Sequence, residues 1–335
     1  MPNMISAIEF GAHGDGSADD TTALQRALEA SVARGQFLAI GPGTYRVTRP
    51  LKVSWRQNCG QLFGILGHGA RILSEIAEGD VLTFACEATV RYLLVEGLSI
   101  LGRGRERDGL VLSCPSTSHW LYNFCLRNVT VERCGRDGFL LDGDVFEGTI
   151  EDCYGQDNRR NGISFRNRAN KAVVSAVRVY SGSFAQNGHC GAELIAEQGI
   201  APPIDVAFTG SYFRNNGQAG LRAPNGCRRL DSCGFENNWE SAEGFDAAVV
   251  HAGIEIDNFG TLTSCTGGSN SKQTHLIKSW VIGNLLIIDA SMDWYGAAGR
   301  EVRLGYFRGP GRVQTLNANG RLEFGDDIAK RHRAI

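Results

Sequence analysis

EFGAHGDGSADDTTALQRALEA, Glu9 to Ala30, followed by IGPGTYRVTRPL, Ile40 to Leu51, is the stretch that decides the fold. Gly11, Gly14 and Gly16 alternate with acidic residues and end in Asp19 and Asp20, a tight turn running into helix-capping carboxylates. Leu24, Ala27, Leu28 and Val32 then recur at helical spacing. The helix they predict has one apolar stripe, suited to lying over the open end of a stack of strands. Gly41-Pro42-Gly43 turns the chain out of this cap and into a strand. A capped stack of strands is a solenoid.

The rest of the chain reads as the stack. From about residue 60 to 290 a unit recurs: a strand, an aromatic residue or Cys, an Asp or Asn three residues on, then Gly and a second strand. Cys134 leads to Asp137 and GFLL, Tyr154 to Asp157 and GISF, Phe184 to Asn187 and GAEL. Phe213 leads to Asn216 and GLRA, and Phe235 to Asn238 with Gly244 beyond. One such coil cannot bury its own apolar face, but coils stacked at about 4.8 Å share a continuous core. Asn at the turn tolerates left-handed backbone and can bond to the Asn one coil away. Val131, Ile150, Val179, Val206 and Leu230 are the expected inward positions. The gap from Asp or Asn to the next Gly varies, so the turns after it are expected to wall a groove along that flank.

The opening segment resembles that of right-handed parallel β-helix proteins: pectate-lyase-like and rhamnogalacturonase-like enzymes, alginate C5-epimerases and phage tailspikes. The resemblance implies an all-β, single-stranded right-handed parallel β-helix with an N-terminal amphipathic helix cap. It is expected to be one domain over residues 1–335, with 1–57 as cap and lead-in, 58–290 as coils and 291–335 as a C-terminal cap. It also implies a polysaccharide or oligosaccharide partner. In the epimerases a run like NVTVERC precedes a Tyr-Gly-Phe-Asp-Pro-His motif that carries their chemistry. This chain has NVTVERCGRDGFLLDG, matching at Gly138-Phe139, with Leu140 and Leu141 in place of Asp and Pro. His68, in ILGHGARI, sits in a Gly-rich turn of the kind polygalacturonase-like proteins use to enter the first coil, and is read as structural.

Composition narrows the function classes. The chain has 335 residues, 34 Lys and Arg against 36 Asp and Glu, 43 Gly and 8 Pro, which suits strands and tight turns. Most of its cations are Arg, suited to planar recognition of carboxylates, phosphates and sugar hydroxyls. Phosphate-loop, catalytic-triad and nucleic-acid motifs are absent from the sequence, as is an apolar run of membrane-spanning length; neither nucleic acid nor membrane is expected as partner. Ten Cys occur without CxxC or zinc-type spacing, and without a signal peptide they are expected to be reduced. Cys134 and Cys153, in VTVERC and GTIEDC, read as equivalent interior fillers. Synthesis in the cytoplasm is expected, with virion association or release by a route without a signal peptide.

The densest acidic stretch, Glu132 to Asp157, holds the candidate chemistry. Aligning VTVERC on GTIEDC puts Glu132 and Glu151 at equivalent outward positions on neighbouring strands. A separation near 5 Å suits a retaining glycosidase and 6.5 to 9.5 Å an inverting one. Asp137 and Asp157, at the start of the turns, complete the catalytic candidates. In YGQDNRRNG, Tyr154 offers a stacking face, while Arg159 and Arg160 offer cations for a uronate carboxylate. His189, one coil on, joins them as a substrate-binding candidate. The leading expectation is hydrolysis of glycosidic bonds in an acidic polysaccharide by carboxylates on adjacent coils, without a cofactor or metal. A lyase or uronate epimerase using Arg, Tyr and Ca²⁺ is the alternative, and a non-catalytic glycan-binding or tailspike-like module is the alternative of another class. Should these carboxylates fail, His189, Glu193, Glu240 and Asp246 on the later coils are next in line. Trp294, Tyr295, Tyr306 and Phe307 suggest an aromatic contact surface, and with the tailspike resemblance a homotrimer.

Overall fold

In a computed structural model the chain winds into a parallel β-helix. The structure describes residues 4–334 apart from 117, 169–171, 225–226, 242–249, 258–260, 270–271, 282–283, 295–302 and 326–331. Strands Leu51–Trp55, Leu82–Cys86, Leu110–Cys114, Phe139–Gly143, Ile163–Asn167 and Ala192–Ala196 stack in parallel as the first part of an 11-stranded sheet, here sheet 1. Leu221–Pro224, Ala252–Asp257, His275–Trp280, Arg303–Arg308 and Arg321–Phe324 complete it. The remaining strands form sheet 2, which wraps the other sides of each coil.

Sheet 2 bends where single residues adopt left-handed backbone. One corner carries Asn128, Asp152, Ser181, Ser232, Ser264, Asp289 and Asn317 at φ near +50°, and a second carries Arg133, Asp157, Gln186, Asn215 and Asn237. Short polar side chains dominate because they pay the smallest penalty for this conformation.

The helix, Thr21–Arg34, buries Ala23, Leu24, Ala27 and Leu28 in the core, while Val32 is only partly covered. Its N-terminus differs from the expected cap. Asp20 turns back to accept the His13 and Gly14 N–H groups at 2.7 and 3.1 Å, and Asp19 takes the Thr21 N–H at 3.0 Å. Gly35 ends the helix at φ +60°, donating to the Ser31 and Val32 carbonyls.

The five expected inward side chains are all buried, but in more than one ladder. Ile150 stacks with Leu126, Val179, Phe208 and Leu230, whereas Val131 stacks with Ile100. The aromatic column contains Phe184, Phe213 and Phe235, with ring centroids 5.6 and 4.8 Å apart, the spacing of the strands themselves. Tyr154 does not belong to it. Gly155 pairs with Phe184, so Tyr154 points out, because a slip of one residue in a strand reverses the face.

The Asn column is likewise one residue from where the Asp157 reading put it. Asn158, Asn187, Asn216 and Asn238 form a fully buried ladder, each Nδ2 donating to the next Oδ1 at 2.9 to 3.1 Å and ending on Gln273. The two tasks expected of one turn residue are divided between neighbours: Asp157, Gln186, Asn215 and Asn237 supply the left-handed bend, and the following Asn supplies the ladder. Cys134 heads this ladder, its N–H on Asn158 Oδ1 at 2.9 Å, while Cys153 sits at the other corner. The two are therefore buried but not equivalent. Next in the chain comes a column of glycines: a Cβ on Gly162 would lie 2.7 Å from the Gly191 carbonyl and 2.9 Å from Asn187 Nδ2, so the corner closes only around Gly.

All ten Cys are unpaired, and only Cys59 and Cys125 are even partly exposed. Thiol titration should find close to ten groups in denaturant, with two at most reacting rapidly in the native protein. Three or more disulfides in freshly purified protein would contradict this arrangement. Phe307, offered by the sequence as a contact residue, is fully buried, Tyr306 is half-buried, and Tyr295 lies outside the described residues. No described helix is long and apolar enough to cross a membrane.

Candidate functional site

Correct register changes which flank is variable. Asn158 to Gly162, Asn187 to Gly191 and Asn216 to Gly220 are the same length, so the corner entering sheet 1 is uniform in these coils. The connections leaving sheet 1 differ: Gly143 runs almost directly into Val145, whereas Asn167 to Ser175 and Ala196 to Val206 are long. The irregular loops therefore rise at the far edge of sheet 1. The outer face of that sheet becomes the floor of the groove.

Alternation decides which side chains line this floor. Leu141, Phe165 and Leu194 point into the core, leaving two outward rows. The first runs Val111, Leu140, Ser164, Glu193, Arg222, Glu255, Lys278. The second runs Ser113, Asp142, Arg166. The first row starts apolar and turns charged in the middle of the solenoid.

The charged part is a connected network. Buried Asn161 donates Nδ2 to Glu193 at 2.8 Å and to Ser164 Oγ at 3.0 Å. Arg222 stands 3.8 Å from Glu193 and bonds Glu255 at 3.0 Å and Gln218 at 2.8 Å. Lys278 approaches Glu255 at 3.7 Å. Burial opposes the Arg222 charge, but Cys190, Glu255 and Glu193 outweigh it and raise its pKa. Arg222, Pro224, Glu255 and Lys278 line a cleft of about 230 Å³. A larger hollow of about 600 Å³ lies under the helix near Trp55 and Asn58, but no carboxylate lines it.

In the second row, Arg166 and Arg168 both reach Asp142 Oδ1, at 3.3 and 3.2 Å. Burial holds the Arg166 guanidinium below its ordinary pKa; Asp142 opposes this, while Arg168 and Arg136 add to it.

The residues singled out in the sequence are dispersed. Glu132 and Glu151 are not on neighbouring strands: Glu132 lies opposite Leu101 and Gln156, and Glu151 opposite Arg127 and Tyr180. Both belong to sheet 2, away from the groove floor, and Glu151 is bonded to Arg127 at 2.9 Å. Tyr154 is exposed on the same sheet between Thr130 and Ser183. Asp157 is exposed at its left-handed corner, and Arg159 is exposed over Gly104. His189 is exposed, its backbone N–H on the Arg160 carbonyl at 2.7 Å. Glu240 is exposed, and Asp246 lies outside the described residues.

Asp137 is fully buried and clasped by Arg160, with Nε at 2.6 Å, and it also takes the Asn161 N–H at 3.2 Å. One rung earlier, Asp108 is clasped by Arg136 in the same way. These are rungs of a second polar ladder, so neither Asp137 nor Arg160 is free for a ligand. Arg160→Ala is accordingly expected to cost about 2 kcal/mol of stability, below the roughly 3–5 of a wholly buried pair because Arg160 is partly solvated. Urea unfolding measures this; an unchanged midpoint would return Arg160 to the ligand-binding candidates.

Asp142, Arg166, Arg168, Arg222 and Glu255 were passed over, although their pattern is visible. Ser164, Glu193, Arg222 and Glu255 each stand second after the Gly of their repeat. Among the described residues, no three His, Cys, Asp or Glu side chains gather as a metal site.

A family model described as "Rhamnogalacturonase A/epimerase, pectate lyase-like" matches residues 4–64. Mannuronan C5-epimerase AlgE2 of Azotobacter vinelandii is 26% identical over 263 residues, covering 64% of this chain and 25% of that protein. The chain thus spans about a quarter of the length of that curated relative. Among solved structures, ORF18 of Geobacillus virus E2 aligns with a TM-score of 0.72 at 17% identity, over 93% of this chain and 61% of that one. The tailspike protein gp49 of Acinetobacter baumannii bacteriophage Fri1, a capsular polysaccharide depolymerase, aligns with a TM-score of 0.55 at 12% identity, over 98% of this chain and 63% of that one. At these identities the structural likeness is one of fold. With its helix-capped first coil matched by the family model and its parallel coils stacked behind it, the chain has the fold of the pectate lyase-like parallel β-helix superfamily.

Proposed function

We propose that the protein is a polysaccharide-processing enzyme that holds its glycan along the outer face of sheet 1 and cleaves a glycosidic bond between Glu193 and Glu255. The observation that carries this reading is the row Glu193, Arg222, Glu255, two carboxylates bracketing one cation. They stand two strand spacings apart, about 9.6 Å at the backbone, and both carboxylates turn toward Arg222 between them, which favours the wider, inverting separation of about 6.5 to 9.5 Å over the retaining one. Glu255, held by Arg222 and Lys278, is the base that activates water. Glu193, which accepts from Asn161 and stands 3.8 Å from Arg222, takes the role of the acid that protonates the leaving oxygen. The named activities of the relatives, epimerase and depolymerase, are both performed on polysaccharides and support the substrate class.

The test is incubation with a panel of acidic and neutral polysaccharides. New reducing ends without the absorbance of an unsaturated uronate are the expected result. Unsaturated product would replace hydrolysis by elimination. Binding without any product would replace the enzyme by a glycan-binding module.

A further inference from the structure

Resting on that reading of sheet 1, we propose that Arg166 and Arg168 form an oxyanion subsite beside the cleavage row, so that the glycan it takes carries a negative substituent. Elsewhere along the solenoid the buried Arg–Asp pairs are one to one: Arg136 clasps Asp108, and Arg160 clasps Asp137, each through two nitrogens. At Asp142 the count changes. Two guanidiniums share one carboxylate oxygen, at 3.3 and 3.2 Å, and the nearby Arg136 is already matched by Asp108. Among the described residues, Asp142 is the one carboxylate within ion-pair distance of either guanidinium.

A second observation points the same way. The Arg166 side chain is 11% exposed, and its Nη2 is buried without a hydrogen-bond partner among the described residues. A buried, charged donor left unpaired is costly, and a charge-assisted bond to an oxyanion removes that cost. Arg168, whose side chain is 42% exposed, presents the pair to solvent. The location suits a substituent of the same glycan: Arg166 lies two residues along the strand from Ser164, about 6.6 Å, and Ser164 neighbours Glu193 in the first row. A sugar bound there adjoins the one at the carboxylates.

A uronate carboxylate and a sulfate ester share this chemistry, and the experiment separates them. The protein is run in native gels containing polygalacturonate, dextran sulfate or dextran, and Kd is read from the retardation. Retardation by polygalacturonate identifies a carboxylate ligand, and retardation by dextran sulfate alone a sulfate; dextran is expected to have no effect. Arg168→Ala and Arg166→Gln should each raise Kd at least about tenfold, and Arg168→Lys should recover part of the loss. Equal retardation by dextran, no retardation by either polyanion, or unchanged Kd in both variants overturns the subsite. The two readings fail separately. Polyanion binding that depends on Arg168, with no product from any polysaccharide, removes the cleavage reading and leaves the subsite standing. Cleavage confined to neutral glycans does the reverse.

Discussion

Glu193→Gln is expected to lower turnover at least about a hundredfold on whichever polysaccharide the panel identifies, with the fold intact. Gln keeps the shape of the side chain and an oxygen to accept from Asn161 Nδ2, so the network on the groove floor survives the change. What is lost is the proton that the leaving oxygen needs. Because that proton is transferred only in the transition state, kcat should fall while KM stays within a few-fold. Glu255→Gln should match it in size, through loss of the base. Glu151→Gln is the control: its carboxylate is bonded to Arg127 on sheet 2, and activity should stay within a few-fold of wild type. Steady-state rates with circular dichroism on the same samples decide the matter. Near-normal rates in both Glu193→Gln and Glu255→Gln would move the chemistry off this row, and a large loss in Glu151→Gln would move it to sheet 2.

Asn187→Ala should be the most damaging single truncation in the middle of the solenoid, costing about 4 kcal/mol, since each buried group left unsatisfied costs roughly 1–3. Asn187 Oδ1 accepts both the N–H and the Nδ2 of Asn158, each at 3.1 Å. Its Nδ2 donates to the Gly155 carbonyl and to Asn216 Oδ1, both at 3.0 Å. In the native corner these groups are closed off from bulk water. The effect should appear as a lower urea midpoint, whereas Asp157→Asn, at the solvent-exposed bend, should change it little because Asn tolerates the left-handed backbone. A loss below about 1 kcal/mol for Asn187→Ala would mean that the ladder is not a main support of the stack.

The architecture was legible from local signals. The Gly- and Asp-rich lead-in, the apolar stripe of the helix and the recurring Gly report conformations that neighbours in the chain impose, and Phe184, Phe213, Asn187 and Asn216 fall in the columns their spacing implied. Pairing was not legible. VTVERC and GTIEDC look alike because both corners of sheet 2 use a strand, a left-handed residue and a small buried one, yet the first ends at the Asn column and the second at the opposite corner. Choosing the wrong corner put Glu132 beside Glu151, and a shift of one residue gave Tyr154 the repeat position that Gly155 holds opposite Phe184. In strands a single step reverses every side chain, so an error of one corner or one residue reassigns the whole outer surface.

The site was decided by contacts between coils. Whether Asp137 is an acid or a rung depends on Arg160, 23 residues on, and the pairing of Asp142 depends on Arg166 and Arg168 arriving from the next strand. The sequence by itself determined that the chain coils and where each coil turns, because those preferences are local. Which carboxylates remain available for chemistry was decided only when the coils stacked, because an ion pair across 4.8 Å of strand spacing leaves no trace in the order of residues along the chain.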